Sequence, residues 1–329
     1  MDRILFRPDV ANEVLKLKAS GVLSQAFISA KEDSSNLICP ETLPDTILSR
    51  CYKVLVPFVQ KIEQADPGGR FGLNKVSEMD SLVEESAGIG KELGLDKNKI
   101  NILKVVLGTH DTGRFVEKVM NLDTLRAGVR HGAFSVLLLQ ENNLLDGLSA
   151  KDKYIVLFSD YYHGEKDVPA LSSDAEEFEK TAYELCYVLR DMDKEFNLGR
   201  PEYFEEEGIS SEIKAHYLQG IDPEDWAVET DKIMKGNVDG RILEYFNKHE
   251  TAPIQLIKHS WASYMAFRLA MIFDVKNDAI LKKIMTEDKK YIDMSMDFIR
   301  SKDFDAAEKI SKSLKEYLSE RMISGAWPF

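Results

Sequence analysis

The sequence predicts an all-α protein. Three observations carry that expectation. Apolar residues recur at three- and four-residue spacing through nearly every long segment, as in Phe178, Ala182, Leu185, Leu189 and Met192. Alternating apolar and polar runs flanked by hairpin turns are missing. Helix-start signals recur, with Ser149-x-x-Asp152 and Ser173-x-x-Glu176 both at capping-box spacing before apolar runs.

Taken in order, residues 9–19 and 45–64 read as helices of an N-terminal region, with Pro44 suited to a first-turn position. Asp66-Pro67-Gly68-Gly69 is the clearest break, and the central domain is expected to start after it. Helices are expected near 76–93, 97–110, 122–142, 150–163 and 173–197. Residues 199–220 read as a connector. Asp222-Pro223-Glu224-Asp225 has the cap, first-turn proline and early acids of another helix start. Helices near 252–275, 277–300 and 303–324 complete the chain, with Ile310, Leu314 and Leu318 as one buried stripe in the last. The expected domains are 1–69 as a helical extension, 70–200 as the core domain, and 201–329 as a helical region packing on it.

The 329 residues allow a sizeable core, and 44% hydrophobic with 30% charged residues describes a folded, soluble chain. No stretch approaches the roughly 20 apolar residues of a membrane helix. The opening Met1-Asp2-Arg3-Ile4-Leu5-Phe6-Arg7 lacks a secretory apolar run, so a cytoplasmic location is expected. A net charge of −13 argues against polymeric nucleic acid as a partner, because binding phosphate polymers requires Lys and Arg. A small phosphorylated substrate gripped by a few cations stays compatible. Cys39, Cys51 and Cys186 are widely spaced, with no Cys-x-x-Cys pattern, and read as reduced thiols.

Chemistry concentrates at His110-Asp111. Val106 and Leu107 lie four and three residues before His110 and share its helix face. A buried imidazole and carboxylate are costly without a partner, and a divalent metal is an economical one. Gly108 and Gly113 bracket the pair and are expected to end the helix there. Downstream, Asp193 follows Leu189 by one turn and is expected to point inward, needing a cation or a salt-bridge partner. Asp191, about 200° around the helix from that face, is expected to point away. His131 and His163 lie between these points, and mixed imidazole and carboxylate sets suit Mn, Fe, Co, Ni or Zn.

These strings give a resemblance. Residues 70–200 resemble the HD superfamily of metal-dependent phosphohydrolases, a helical fold in which a His, a later His-Asp pair and a distal Asp hold metal. Leu107-Gly-Thr-His110-Asp111-Thr-Gly-Arg114 is similar to the family's Leu-hydrophobic-His-Asp-Ile-Gly-Arg. Leu189-Arg-Asp-Met-Asp193-Lys194 is similar to its Leu-Arg-Asp-Ala-Asp-Lys. Ala87-Gly-Ile-Gly-Lys-Glu-Leu-Gly94-Leu-Asp96 fits the helix and turn preceding the pair. The resemblance implies an HD-like bundle with helical extensions at both ends. It implies one or two divalent transition-metal ions held by His110, Asp111 and Asp193. His131 and His163 fall where two-metal members place extra histidines. The family's first histidine, expected near position 78, is absent, and no histidine precedes His110; Glu78 is the candidate oxygen ligand in its place.

The implied function is hydrolysis of a nucleotide or other small phosphate ester by metal-activated water. Arg114, three residues past Asp111, and Lys118, one turn later, are candidates to grip phosphate oxygens. The alternatives are a non-catalytic HD-like sensor or ligand-binding protein, motivated by the absent histidine, and an HD-fold di-iron oxygenase, motivated by His131 and His163. His216, His249 and His259 read as structural, with His259-Ser260-Trp261 able to pack over a pocket. Lys166 reads as a loop charge. Gly325-Ala-Trp-Pro-Phe329 reads as core packing or a subunit contact, which leaves room for an oligomer.

Overall fold

A computed structural model describes residues 8–37, 39–65, 71–119, 131–165, 168–199, 204–205, 208–209, 269, 271–302 and 304–321. The chain is all-α, with a pair of two-residue antiparallel strands and an isolated bridge between Asp146 and Leu148 as the β structure among the described residues. It divides into two compact units, residues 1–190 and 191–329, rather than at 69–70 and 200–201. The first unit holds α1 (Pro8–Glu32), α2 (Leu43–Ala65), α3 (Phe71–Glu92), α4 (Lys97–Thr109), α5 (Thr112–Val119), α6 (His131–Glu141) and α7 (Ala150–Tyr162). α8 (Glu177–Leu198) begins in the first unit and continues into the second.

The N-terminal helices are part of the first unit's core. α1 packs on α6 and α7, and α2 packs on α3, α4 and α5. Pro44 sits in the first turn of α2, where its missing N–H costs nothing. Leu55, Ile62, Met79, Phe115 and Leu138 form a buried cluster joining α2, α3, α5 and α6. Ile102, Leu103, Val105, Val106 and Leu107 of α4 are fully buried. Each such side chain contributes about 1.5–3 kcal/mol. The residues on either side of the chemistry are therefore pinned by hydrophobic packing.

Helix starts follow local chemistry. Ser149 caps α7, its hydroxyl accepting from Asp152 N at 3.0 Å, as the capping-box spacing requires. Asp96 caps α4 by accepting from Lys99 N at 2.9 Å. Ser173 does not start α8. The helix begins at Glu177, where the Glu179 carboxylate reaches back and accepts from the otherwise orphaned Glu176 N–H at 2.9 Å.

In the second unit, β1 (Phe204–Glu205) pairs with β2 (Gly208–Ile209) within the expected connector. A short 3-10 turn at Met271–Asp274 leads to α9 (Asp278–Glu287), α10 (Lys289–Lys302) and α11 (Phe304–Glu320). The expected single helix over 277–300 is broken at Asp288, whose ψ of 2° leaves the helical range. Ile310, Leu314 and Leu318 are buried in α11 as their spacing predicts. The expected break at 66–69, residues 122–130, the helices opening at Asp222 and at 252, Lys166, His216, His249, His259 and residues 325–329 lie outside the described residues. No helix among the described residues is long and apolar enough to cross a membrane.

Candidate metal centre

His110 and Asp111 occupy the tight connection between α4 and α5. The helix does end at the pair, but the bracketing glycines are not what ends it. Gly108 lies inside α4 and Gly113 inside α5, and neither has a positive φ. Both are needed for close approach. A Cβ on Gly108 would meet Leu48 Cδ2 at 2.3 Å, and one on Gly113 would meet the His131 carbonyl oxygen at 2.0 Å. The second contact brings α5 against the start of α6, and so brings Asp111 and His131 together.

Ser135 locks this crossing. Its hydroxyl donates to the His110 carbonyl at 2.7 Å and accepts from Gly113 N at 2.8 Å. A further device fixes the end of α7. Arg190, almost fully buried, donates from Nη1 to the carbonyls of Tyr162 (3.1 Å) and Glu165 (2.7 Å), on either side of His163. A cation there also suits the negative end of the helix.

The imidazoles are oriented by their outer nitrogens. Nδ1 of His110 lies 2.8 Å from the Leu107 carbonyl, and Nδ1 of His163 lies 2.7 Å from the Asp160 carbonyl. A carbonyl only accepts, so each Nδ1 carries a proton, and each Nε2 is left to face inward. That is how metal-binding histidines are held.

All three Nε2 atoms face Asp111. His131 Nε2 lies 3.3 Å from Oδ1, His163 Nε2 3.7 Å from Oδ1, and His110 Nε2 3.6 Å from Oδ2. Nε2 of His110 is buried with no hydrogen-bond partner among the described residues. His131 and His163 meet Nε2 to Nε2 at 2.7 Å. Burial works against an ionised Asp111, but its surroundings, the Lys75 ammonium first among them, outweigh it and hold the carboxyl well below the usual carboxylate range. Burial, then the nearby Arg114 charge, keeps His131 well below the ordinary histidine range, so it is neutral.

Donor atoms of Asp111, His131 and His163 lie within 4.8 Å of one another, as do those of Glu78, His110 and Asp111, so both groups can hold a metal ion. The donor set fits a divalent transition metal: imidazoles, an ionised carboxylate and an orphaned inward nitrogen. An ion about 2.0–2.1 Å from each of two nitrogens at a right angle holds them about 3 Å apart, close to the His131–His163 separation.

Glu78, on α3, is fully buried. The unanticipated member is Lys75, one turn earlier on α3, whose Nζ lies 2.7 Å from Glu78 Oε2 and 2.8 Å from Asp111 Oδ2. Lys75, Glu78 and Leu82 share a helix face, but that spacing alone does not show the contact with Asp111. Arg114, 27% exposed by side chain, faces Asp111 Oδ1 at 3.6 Å and the buried Glu117 at 3.7 Å. Lys118 is half-buried one turn later on α5. A surface groove of about 490 Å³ between α2, α3 and α4, lined by Tyr52, Lys53, Asp80 and Lys104 among others, contains none of these residues.

Asp193 and Asp191 belong to the second unit. The expected orientation is reversed in degree: Asp191 is fully buried and Asp193 half-buried. Asp191 Oδ2 accepts from the backbone N–H groups of Lys276 (2.9 Å) and Asn277 (2.8 Å), at the start of α9. Helix periodicity misplaced it because α8 is buried around more than one face here. Asp193 Oδ1 accepts from Asn197 Nδ2 at 3.1 Å.

Compared with family models, curated proteins and solved structures, the chain has no match.

Proposed function

We propose that the chain is a metal-dependent phosphohydrolase acting on a nucleotide or another small phosphate ester. The observation that carries the proposal is the convergence of three imidazole Nε2 atoms on the single buried carboxylate of Asp111. The HD-superfamily resemblance, carried by the sequence strings around His110 and Asp193, points the same way.

In this reading Asp111, His131 and His163 hold a divalent ion, with His110 and Glu78 available to the same carboxylate from the other side. The bound ion supplies positive charge at the phosphoryl group and lowers the pKa of its water towards about 7. The protein does the remaining work. Asp111 stays ionised because the Lys75 ammonium offsets its burial. Leu107 and Asp160 aim two imidazoles through their carbonyls. Arg114, partly exposed beside Asp111, is the residue assigned to the substrate's phosphate oxygens, with Lys118 a turn behind it.

Purified protein loaded with Mn(II) or Co(II) is expected to release phosphate from at least one member of a nucleotide panel, and His110→Ala to abolish the release. Full activity in His110→Ala contradicts the assignment. A second reading, a ligand-binding protein without turnover, is favoured by one observation: the Lys75 ammonium bridges Glu78 and Asp111. Ligand-induced thermal stabilisation with no bound metal and no phosphate release distinguishes it.

A further inference from the structure

We infer that Lys75 is a built-in cation filling one half of a two-cation centre, so that this chain takes up one divalent ion rather than two. The inference rests on the proposed metal centre and narrows it.

The two oxygens of Asp111 keep different company. Oδ1 faces Nε2 of His131 at 3.3 Å, Nε of Arg114 at 3.6 Å and Nε2 of His163 at 3.7 Å. Oδ2 faces Nζ of Lys75 at 2.8 Å and Nε2 of His110 at 3.6 Å. A carboxylate divided in this way bridges two cation positions. On the Oδ2 side the position belongs to the ammonium, which also lies 2.7 Å from Glu78 Oε2. The Lys75 side chain is 17% exposed, while those of Glu78 and Asp111 are 0% and 3% exposed, so the ammonium is shared by two desolvated carboxylates.

A compact ammonium with three donors suits that place. For a divalent ion to enter, the ammonium must leave two buried carboxylates or stay beside a second cation in a poorly screened interior. Both are unfavourable. A tethered charge also returns more readily than a free ion, because its translational freedom is already spent. The Oδ1 side differs. Two imidazoles whose Nε2 atoms lie 2.7 Å apart are nitrogen ligands of the kind transition metals select. The single ion belongs there, and Lys75 supplies on the other side the charge that a second ion provides in two-metal sites.

The test is metal stoichiometry. Wild type, Lys75→Met and Lys75→Arg are loaded with Mn(II), freed of excess by gel filtration, and analysed for manganese per chain by mass spectrometry and by electron paramagnetic resonance. Thermal melts check folding. Wild type and Lys75→Arg are expected to hold about one ion, and Lys75→Met about two with the spectrum of a coupled pair. Should Lys75→Met fail to fold, Lys75→Gln, which keeps a donor for the carboxylates without the charge, carries the same two-ion expectation. Two ions in wild type, or one in the folded uncharged variant, overturns the inference and leaves the metal centre standing. No ion in wild type overturns the centre itself.

Discussion

His131 and His163 face each other Nε2 to Nε2 across 2.7 Å, a distance that requires one proton between them. With His163 neutral and its proton on Nδ1, bonded to the Asp160 carbonyl, His131 donates from Nε2. A metal ion bound by both rings displaces that proton. Because His131 is held neutral, the proton moves to its own Nδ1, a change of tautomer. Zinc addition to protein labelled with nitrogen-15 in histidine is expected to switch one ring from the Nε2–H to the Nδ1–H pattern. Unchanged ring spectra at saturating zinc contradict the ligand assignment.

Ser135 is buried and has no other stated duty than tying the His110 carbonyl to Gly113 N. Ser135→Ala leaves that buried N–H without its acceptor, which costs about 1–3 kcal/mol. Denaturant unfolding of the metal-free protein measures it, and metal affinity is expected to fall as His110 and Asp111 loosen. A variant as stable as wild type removes Ser135 from the account.

At Gly113 the constraint is steric. A methyl group overlaps the His131 carbonyl, a backbone atom that cannot turn aside, so α5 and α6 must separate. Gly113→Ala is expected to lower stability by about 1–3 kcal/mol and to weaken metal binding in the same variant. Loss of stability with unchanged metal affinity contradicts the claim that this crossing positions the site.

Asp160 gives a pH signature. Burial raises its carboxyl well above the ordinary range, the contact with Thr109 opposes that, and the Asp111 charge adds to it. The folded state therefore binds the proton more tightly than the unfolded state, whose value is about 3.9. Stability from this group is complete below that value and is lost as pH rises through the higher folded one. Asp160→Asn mimics the protonated form, so metal-free Asp160→Asn is expected to melt above wild type at pH 8, with the gap closing towards pH 4. A gap that does not change with pH contradicts this.

Burial pushes the thiols of Cys39 and Cys51 up to about 12, and all three cysteines are buried and free. A thiol-disulfide reagent at pH 8 is expected to find no rapidly reacting thiol in the native protein and three after unfolding. Fast labelling of the native protein contradicts this burial.

How much of this was legible before folding follows from where each signal resides. Helix identity was readable because α11 shows an apolar stripe at Ile310, Leu314 and Leu318 and α7 opens on a capping box between Ser149 and Asp152. His110, Asp111, His131 and His163 were readable as chemistry-bearing residues, since imidazole beside apolar residues is rare enough to notice. Their mutual distances were not, because they depend on helix crossings set by Gly113 and Ser135, 22 residues apart in sequence. Lys75 escaped because a lysine on a helix ordinarily reads as a solvated cation, and only the position of Asp111 across the crossing gives it a buried partner. Asp191 escaped because a one-faced pattern was assumed for a helix end that is buried on several sides.

The most direct test of the central claim is anomalous X-ray scattering from crystals of the zinc- or manganese-loaded protein, collected at the metal's absorption edge. The account predicts one peak about 2.0–2.2 Å from Asp111 Oδ1, His131 Nε2 and His163 Nε2. Loaded crystals with no peak there, and with the two imidazoles still bonded to each other, contradict it.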